Sequence, residues 1–111
     1  MTELRAITPE LAAEVVAALA AKGRTNLAKQ LASAKIKHCT YDESADAGYI
    51  YLVCPAPSAH FAKLAAPVAE TIPFDMESGI NVDVDHDGYI YGIEFLSRPD
   101  VLAKLKDADA L

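Results

Sequence analysis

Tryptophan is absent from the 111-residue chain, and cysteine is scarce. The two cysteines, Cys39 and Cys54, form no C-x-x-C pair. They are too few for a disulfide framework and read as small buried apolar residues of a cytoplasmic protein. Long apolar runs are also missing. None reaches the roughly 20 residues of a membrane span. The alanine-rich run at 11–21 follows Glu10 and is interrupted by Glu14, so it does not read as a secretory signal. There is no G-x-S-x-G, no phosphate-cradling glycine loop and no dinucleotide fingerprint. His38, His60 and His86 never pair at helical spacing, so no helical metal motif exists. Neighbouring His38 and Cys39 point to opposite faces of a strand, which denies the thiol a base. Enzymatic activity is not expected, nor is any cofactor.

Basic residues are missing from the middle of the chain. Residues 38–97 hold ten acidic side chains against Lys63 alone, while residues 1–37 hold six basic and three acidic ones. The formal net charge is −6. An acidic middle argues against nucleic acid as a partner, because phosphate binding needs a basic face. It suits a solvated acidic surface, a basic protein partner or a cation. The basic cluster Lys22, Arg24, Lys29, Lys35 and Lys37 lacks interleaved aromatics and reads as a solvated helix face.

What is present divides by period. Thr8-Pro9-Glu10 starts a helix, with Thr8 as cap and Pro9 in the first turn. Leu11, Val15 and Leu19 form its apolar stripe, and Gly23 ends it. A second helix at about 24–34 carries Leu27 and Leu31, so residues 8–34 form a helical hairpin. From Lys35 the period becomes two. K-I-K-H-C-T-Y and G-Y-I-Y-L-V-C read as strands around an acidic turn. Pro55 and Pro57 end the second strand, and Ser58 caps a helical turn or two presenting Phe61 and Leu64. Glu70 to Phe74 reads as a short strand, which Pro73 places at an edge or bulge. Residues 97–106 form a last helix, with Ser97 and Asp100 in a capping box.

Residues 80–96 admit two readings. Asp83, Asp85, Asp87, Gly88 and Glu94 match positions 1, 3, 5, 6 and 12 of an EF-hand loop. An EF-hand requires helices on both sides, and these flanks are β-branched and aromatic. Tyr91, at position 9, is a poor ligand. Asp-Gly between alternating runs is instead a hairpin signal. A two-residue Asp87-Gly88 turn sets Ile80, Val82, Val84, Tyr89, Tyr91, Ile93 and Phe95 on the apolar face. It sets Asn81, Asp83, Asp85, Ile90, Gly92 and Glu94 on the other. A three-residue loop with Gly88 in a bulge changes that facing. The metal-ligand candidates are Asp83, Asp85, Asp87 and Glu94. The candidates for a basic partner are Asp42, Glu43, Asp46, Asp83 and Asp85, which form one acidic rim only if the two hairpin turns share an end of the sheet.

Two blocks carry a family resemblance. They are Tyr41-Asp42, Ala45-Asp46 and Tyr49-Ile50, then Asp83, Asp85, Asp87-Gly88 and Gly92-Ile93-Glu94. Together they resemble the small bacterial family known as domain of unknown function 2283, over about residues 36–96. Gly48 departs from the pattern, which usually has a larger apolar residue there. The resemblance implies a small antiparallel sheet and no established activity. Some members look like partners of small toxin genes, which implies an antitoxin or immunity role by analogy.

The expectation is a single α+β domain. It has an N-terminal helical hairpin (8–34), a four- or five-stranded antiparallel meander sheet (35–96) and a C-terminal helix (97–106). Its expected role is a cytoplasmic interaction module with a basic protein partner and no nucleic-acid or membrane partner. A calcium-binding β domain and a structural homodimer are the alternatives.

Overall fold

A computed structural model describes residues 1–53 and 68–111. The predicted helical turns at Ser58 to Leu64 fall outside the described residues, as do Cys54 and His60. The described elements are α1 (Leu4–Ile7), α2 (Pro9–Ala21), α3 (Thr25–Ala32), β1 (Lys35–Asp42) and β2 (Ala47–Val53). They continue with β3 (Val68–Pro73), β4 (Ile80–Asp85), β5 (Ile90–Leu96) and α4 (Pro99–Asp107). This is the expected α+β architecture.

Helix α2 ends where Gly23 enters the left-handed region at φ +77°. The Arg24 amide then reaches the Leu19 carbonyl and the Gly23 amide the Ala20 carbonyl, so two orphan carbonyls are satisfied. Two expected caps are not made. Thr8 has no side-chain cap bond to α2; its hydroxyl and amide both bond the Leu4 carbonyl, closing the short helix α1. Ser97 sits at φ +51°, one residue ahead of the N-cap position, so the capping box does not form.

The five strands are all antiparallel, in the order β1-β2-β5-β4-β3. The sheet is five-stranded and antiparallel as expected but not a simple meander: β5, not β3, lies beside β2. Strand β3 takes an edge, where Pro73 leaves no ladder bond unmade. The order also fixes the ends of the sheet. Ala47, just after the β1–β2 turn, pairs with Leu96 at the close of β5, and Ile80, just after the β3–β4 turn, pairs with Phe95. Those two turns share one end. The β4–β5 turn lies at the other.

One face of the sheet packs on the helices. Ile36, Ile50, Leu52, Ile72, Val82, Ile93 and Phe95 join Leu11, Val15, Leu19, Leu31, Val101 and Leu105 in one buried cluster. Each buried aliphatic side chain contributes about 1.5–3 kcal/mol. Gly48 belongs to this face. A Cβ there would collide with the Phe95 ring. The volume that a larger apolar residue supplies in the family pattern comes here from Phe95 across the β2–β5 pair.

Arg98 fastens the layers. Its guanidinium donates to both carboxylate oxygens of Glu14 (2.8 and 3.0 Å), to both of Asp100 (3.0 and 3.1 Å) and to the Ser78 carbonyl (2.8 Å). One side chain thus joins α2, the β3–β4 turn and α4. It holds the Asp100 carboxyl below the usual range, chiefly through these hydrogen bonds.

Candidate functional site

The acidic β4–β5 turn is held by its own first carboxylate. Asp85 Oδ1 accepts the amides of Asp87 and Tyr89, both at 2.9 Å. The Gly88 amide donates to the Asp85 carbonyl, the Asp85 amide donates to the Tyr89 carbonyl, and Gly88 takes φ +85°. This is a three-residue loop, His86 to Gly88, closed by a left-handed glycine. The three-residue alternative is the one formed, in place of the two-residue Asp87-Gly88 turn. Gln30 of α3 grips the loop from the helical layer: its Nε2 donates to the Gly88 carbonyl (3.1 Å) and its Oε1 accepts the Ile90 amide (3.0 Å).

The longer loop changes the facing of β5. Val84 pairs with Ile90 and Asp83 with Gly92, leaving Tyr91 as the extra residue of a bulge. Ile90, expected on the polar face, is buried in the core. Tyr91, expected under the helices, turns to the far face of the sheet. Val82 opposite Ile93 is as expected.

That far face carries an aromatic cluster. The Tyr49 and Tyr51 ring centroids lie 4.6 Å apart, and Tyr91 stands edge-on to both at 6.4 and 5.9 Å. His38 stacks flat on Tyr51, at 4.2 Å and 16°. The bulge turns Tyr91 onto this face, and Gly92 leaves room for the Tyr49 ring, which a Cβ would collide with. Asp83 borders the cluster. Its Oδ2 accepts the Tyr49 hydroxyl (2.7 Å) and its Oδ1 the Thr71 hydroxyl (2.6 Å). Burial first, and then the bond to Asp83, pushes the Tyr49 phenol well above its ordinary value. Glu94 accepts the Asn81 amide at 2.9 Å on the same face.

The sequence-derived candidates therefore part company. Asp83 and Glu94 lie on the far face, engaged by different partners. Asp85 is buried at the turn and serves its backbone, and Asp87 is exposed in the loop. Among the described residues no group of three or more His, Cys, Asp or Glu side chains is placed to hold a metal ion. The EF-hand spacing is a by-product of a bulged hairpin. Asp42, Glu43 and Asp46 sit at the opposite end of the sheet from Asp85. There Asp42 Oδ1 accepts the Ser44 amide and hydroxyl, and Asp46 Oδ1 accepts the Tyr41 hydroxyl at 2.8 Å. No single acidic rim joins the two turns; Asp75 and Glu77 of the β3–β4 turn share the end with Asp46 instead. Burial pushes the Cys39 thiol up to about 11.

Sequence reasoning missed the cluster itself. The two-residue period of a strand is the one local signal for it, since it puts Tyr49 and Tyr51 on one face. The bulge that adds Tyr91 depends on the turn type, and the pairing that adds Asp83 depends on β5 lying between β2 and β4.

This arrangement defines an α+β domain in which one sheet face builds the core and the other displays aromatic and acid groups. The chain belongs to the protein family of unknown function DUF2283, which matches residues 38–97. The match takes in most of β1 and runs through β5, leaving the four described helices outside. No curated protein and no solved structure matches the chain. The two blocks that carry the resemblance meet physically: the Tyr49 hydroxyl of the first bonds Asp83 of the second, and the Tyr49 ring covers Gly92. Among the described residues no helix is long and apolar enough to cross a membrane.

Proposed function

We propose that the protein is a non-enzymatic interaction module whose far sheet face takes a basic protein partner. The observation that carries this reading is the concentration of Tyr49, Tyr51, Tyr91 and His38 around Asp83 on a face that contributes little to the core. Tyrosine supplies large contact area at low cost in side-chain entropy, and interfaces are enriched in it. Acidic groups beside it set the sign of the partner.

The raised Cys39 thiol and the hydrogen-bonded turn carboxylates support a non-enzymatic role, since neither offers a poised acid, base or nucleophile. The sheet edges favour a different partner over a second copy. The β1 edge carries Lys35, Lys37 and a bulge, and Glu3 bridges to Lys35. The β3 edge carries Pro73, a bulge and the Arg24–Glu70 ion pair. Such features oppose edge-to-edge pairing. The finer reading, an immunity protein or antitoxin set against a basic toxin, rests on the family resemblance alone.

Titration with a peptide of alternating lysine and arginine tests the proposal. Binding is expected to weaken steeply between low salt and about 150 mM salt, where screening is strong. Salt-insensitive binding, or none, would count against it.

A further inference from the structure

We infer that the far face recognises a guanidinium group, so that the partner docks by an arginine side chain that packs on the tyrosine cluster and pairs with Asp83. The inference rests on the basic-partner reading and narrows it.

Three observations converge. Asp83 is half-buried, and none of the ion pairs among the described residues involves it or Glu94. Each Asp83 oxygen accepts one neutral hydroxyl. A carboxylate has about four acceptor sites, so each oxygen keeps capacity for a further donor. Those hydroxyls also hold the carboxylate in one orientation. The Tyr49 hydroxyl bonds Asp83 and the Tyr49 ring adjoins Tyr51 and Tyr91, so the aromatic cluster and a charged acceptor lie side by side. Finally, the His38 imidazole already lies flat on Tyr51, which shows that a planar nitrogen-bearing group packs on this cluster.

A guanidinium satisfies both halves of such a site. It is planar and stacks on tyrosine, and its fork of N–H groups matches a carboxylate. A lysine ammonium has the charge without the plane or the fork. Residues 38–97 hold ten carboxylates against one lysine, and with Arg24 paired to Glu70 the remaining acidic excess supplies the long-range attraction.

Hexa-arginine and hexa-lysine peptides of equal charge make the test, with binding followed by amide and ring chemical shifts. Hexa-arginine is expected to bind roughly tenfold more tightly, from stacking and bidentate pairing together. Its shifts should centre on Tyr49, Tyr51, Asp83, Tyr91 and Gly92. Asp83→Asn keeps an acceptor oxygen for one hydroxyl and turns an N–H toward the other, whose oxygen can accept it; it should lose most of the arginine preference while the fold, read from the amide spectrum away from the site, is kept. Tyr51→Leu removes a ring while leaving Asp83 in place, and it should do the same. Equal affinity for the two peptides at this face would overturn the guanidinium inference and leave the basic-partner reading standing. Absence of binding, or shifts confined to the turn at Asp42 to Asp46, would overturn both.

Discussion

The two faces of the sheet share five strands and differ in almost everything else. The helical side presents Ile36, Ile50, Leu52, Val82, Ile93 and Phe95, which pack on apolar helix stripes. The far side presents His38, Tyr49, Tyr51, Tyr91, Asp83, Thr71, Asn81 and Glu94, tied to one another by hydrogen bonds and ring contacts. Strand alternation lets one backbone serve both. Four rings in mutual contact on the face turned away from the helices are the feature that the proposed protein-binding role accounts for.

If the faces divide labour this way, truncations on the helical side should cost stability. Ile93 is fully buried, and Ile93→Ala should destabilise the fold by about 2–5 kcal/mol in denaturant melts. Gly48→Ala forces Phe95 aside and should cost about 1–3 kcal/mol. Pairing it with Phe95→Leu should return part of that loss, a double-mutant cycle that shows the two residues share one space.

Acid should loosen α4 before the sheet. The Asp100 carboxyl is depressed by Arg98, so its contribution is complete above its unfolded value of 3.8 and disappears as pH falls through the lower folded value. Amide exchange in α4 should therefore rise below about pH 4 while β5 stays protected. Equal loss across both elements would show that Arg98 does not set the stability of that corner.

On the far side, Tyr91→Leu should change stability by only about 1 kcal/mol, the scale of an aromatic pair beyond its area, while weakening peptide binding. A loss as large as that of Ile93→Ala would erase the distinction between the faces. The smallest expected effect is that of calcium. Millimolar calcium should leave the melting temperature unchanged, because Asp83, Asp85, Asp87 and Glu94 do not converge.

Much of the fold was legible because its signals are local. Gly23 stops α2 at the expected place, the period changes at Lys35, and Pro73 marks an edge. Other features depend on partners remote in sequence. Asp-Gly suits both a two- and a three-residue hairpin. The choice is made by the Asp85 side chain and by Gln30, which lies 60 residues from the Ile90 amide it accepts. That single added loop residue inverts Ile90 and Tyr91, and with them the composition of both faces. Ser97 and Asp100 spelled a capping box. Arg98 instead draws Asp100 into a network with Glu14, a pairing across 84 residues that no local pattern reveals. The candidate site was legible only as a list of carboxylates. Its aromatic half needed the β2–β5 pairing.

The far face is the proposed landing site of a basic partner. Chemical-shift mapping with hexa-arginine tests it most directly. The account predicts that the largest shifts fall on Tyr49, Tyr51, Asp83, Tyr91 and Gly92, and that they diminish with salt and with Asp83→Asn. Shifts that centre on Asp42, Glu43 and Asp46, or on the helical layer, would contradict it.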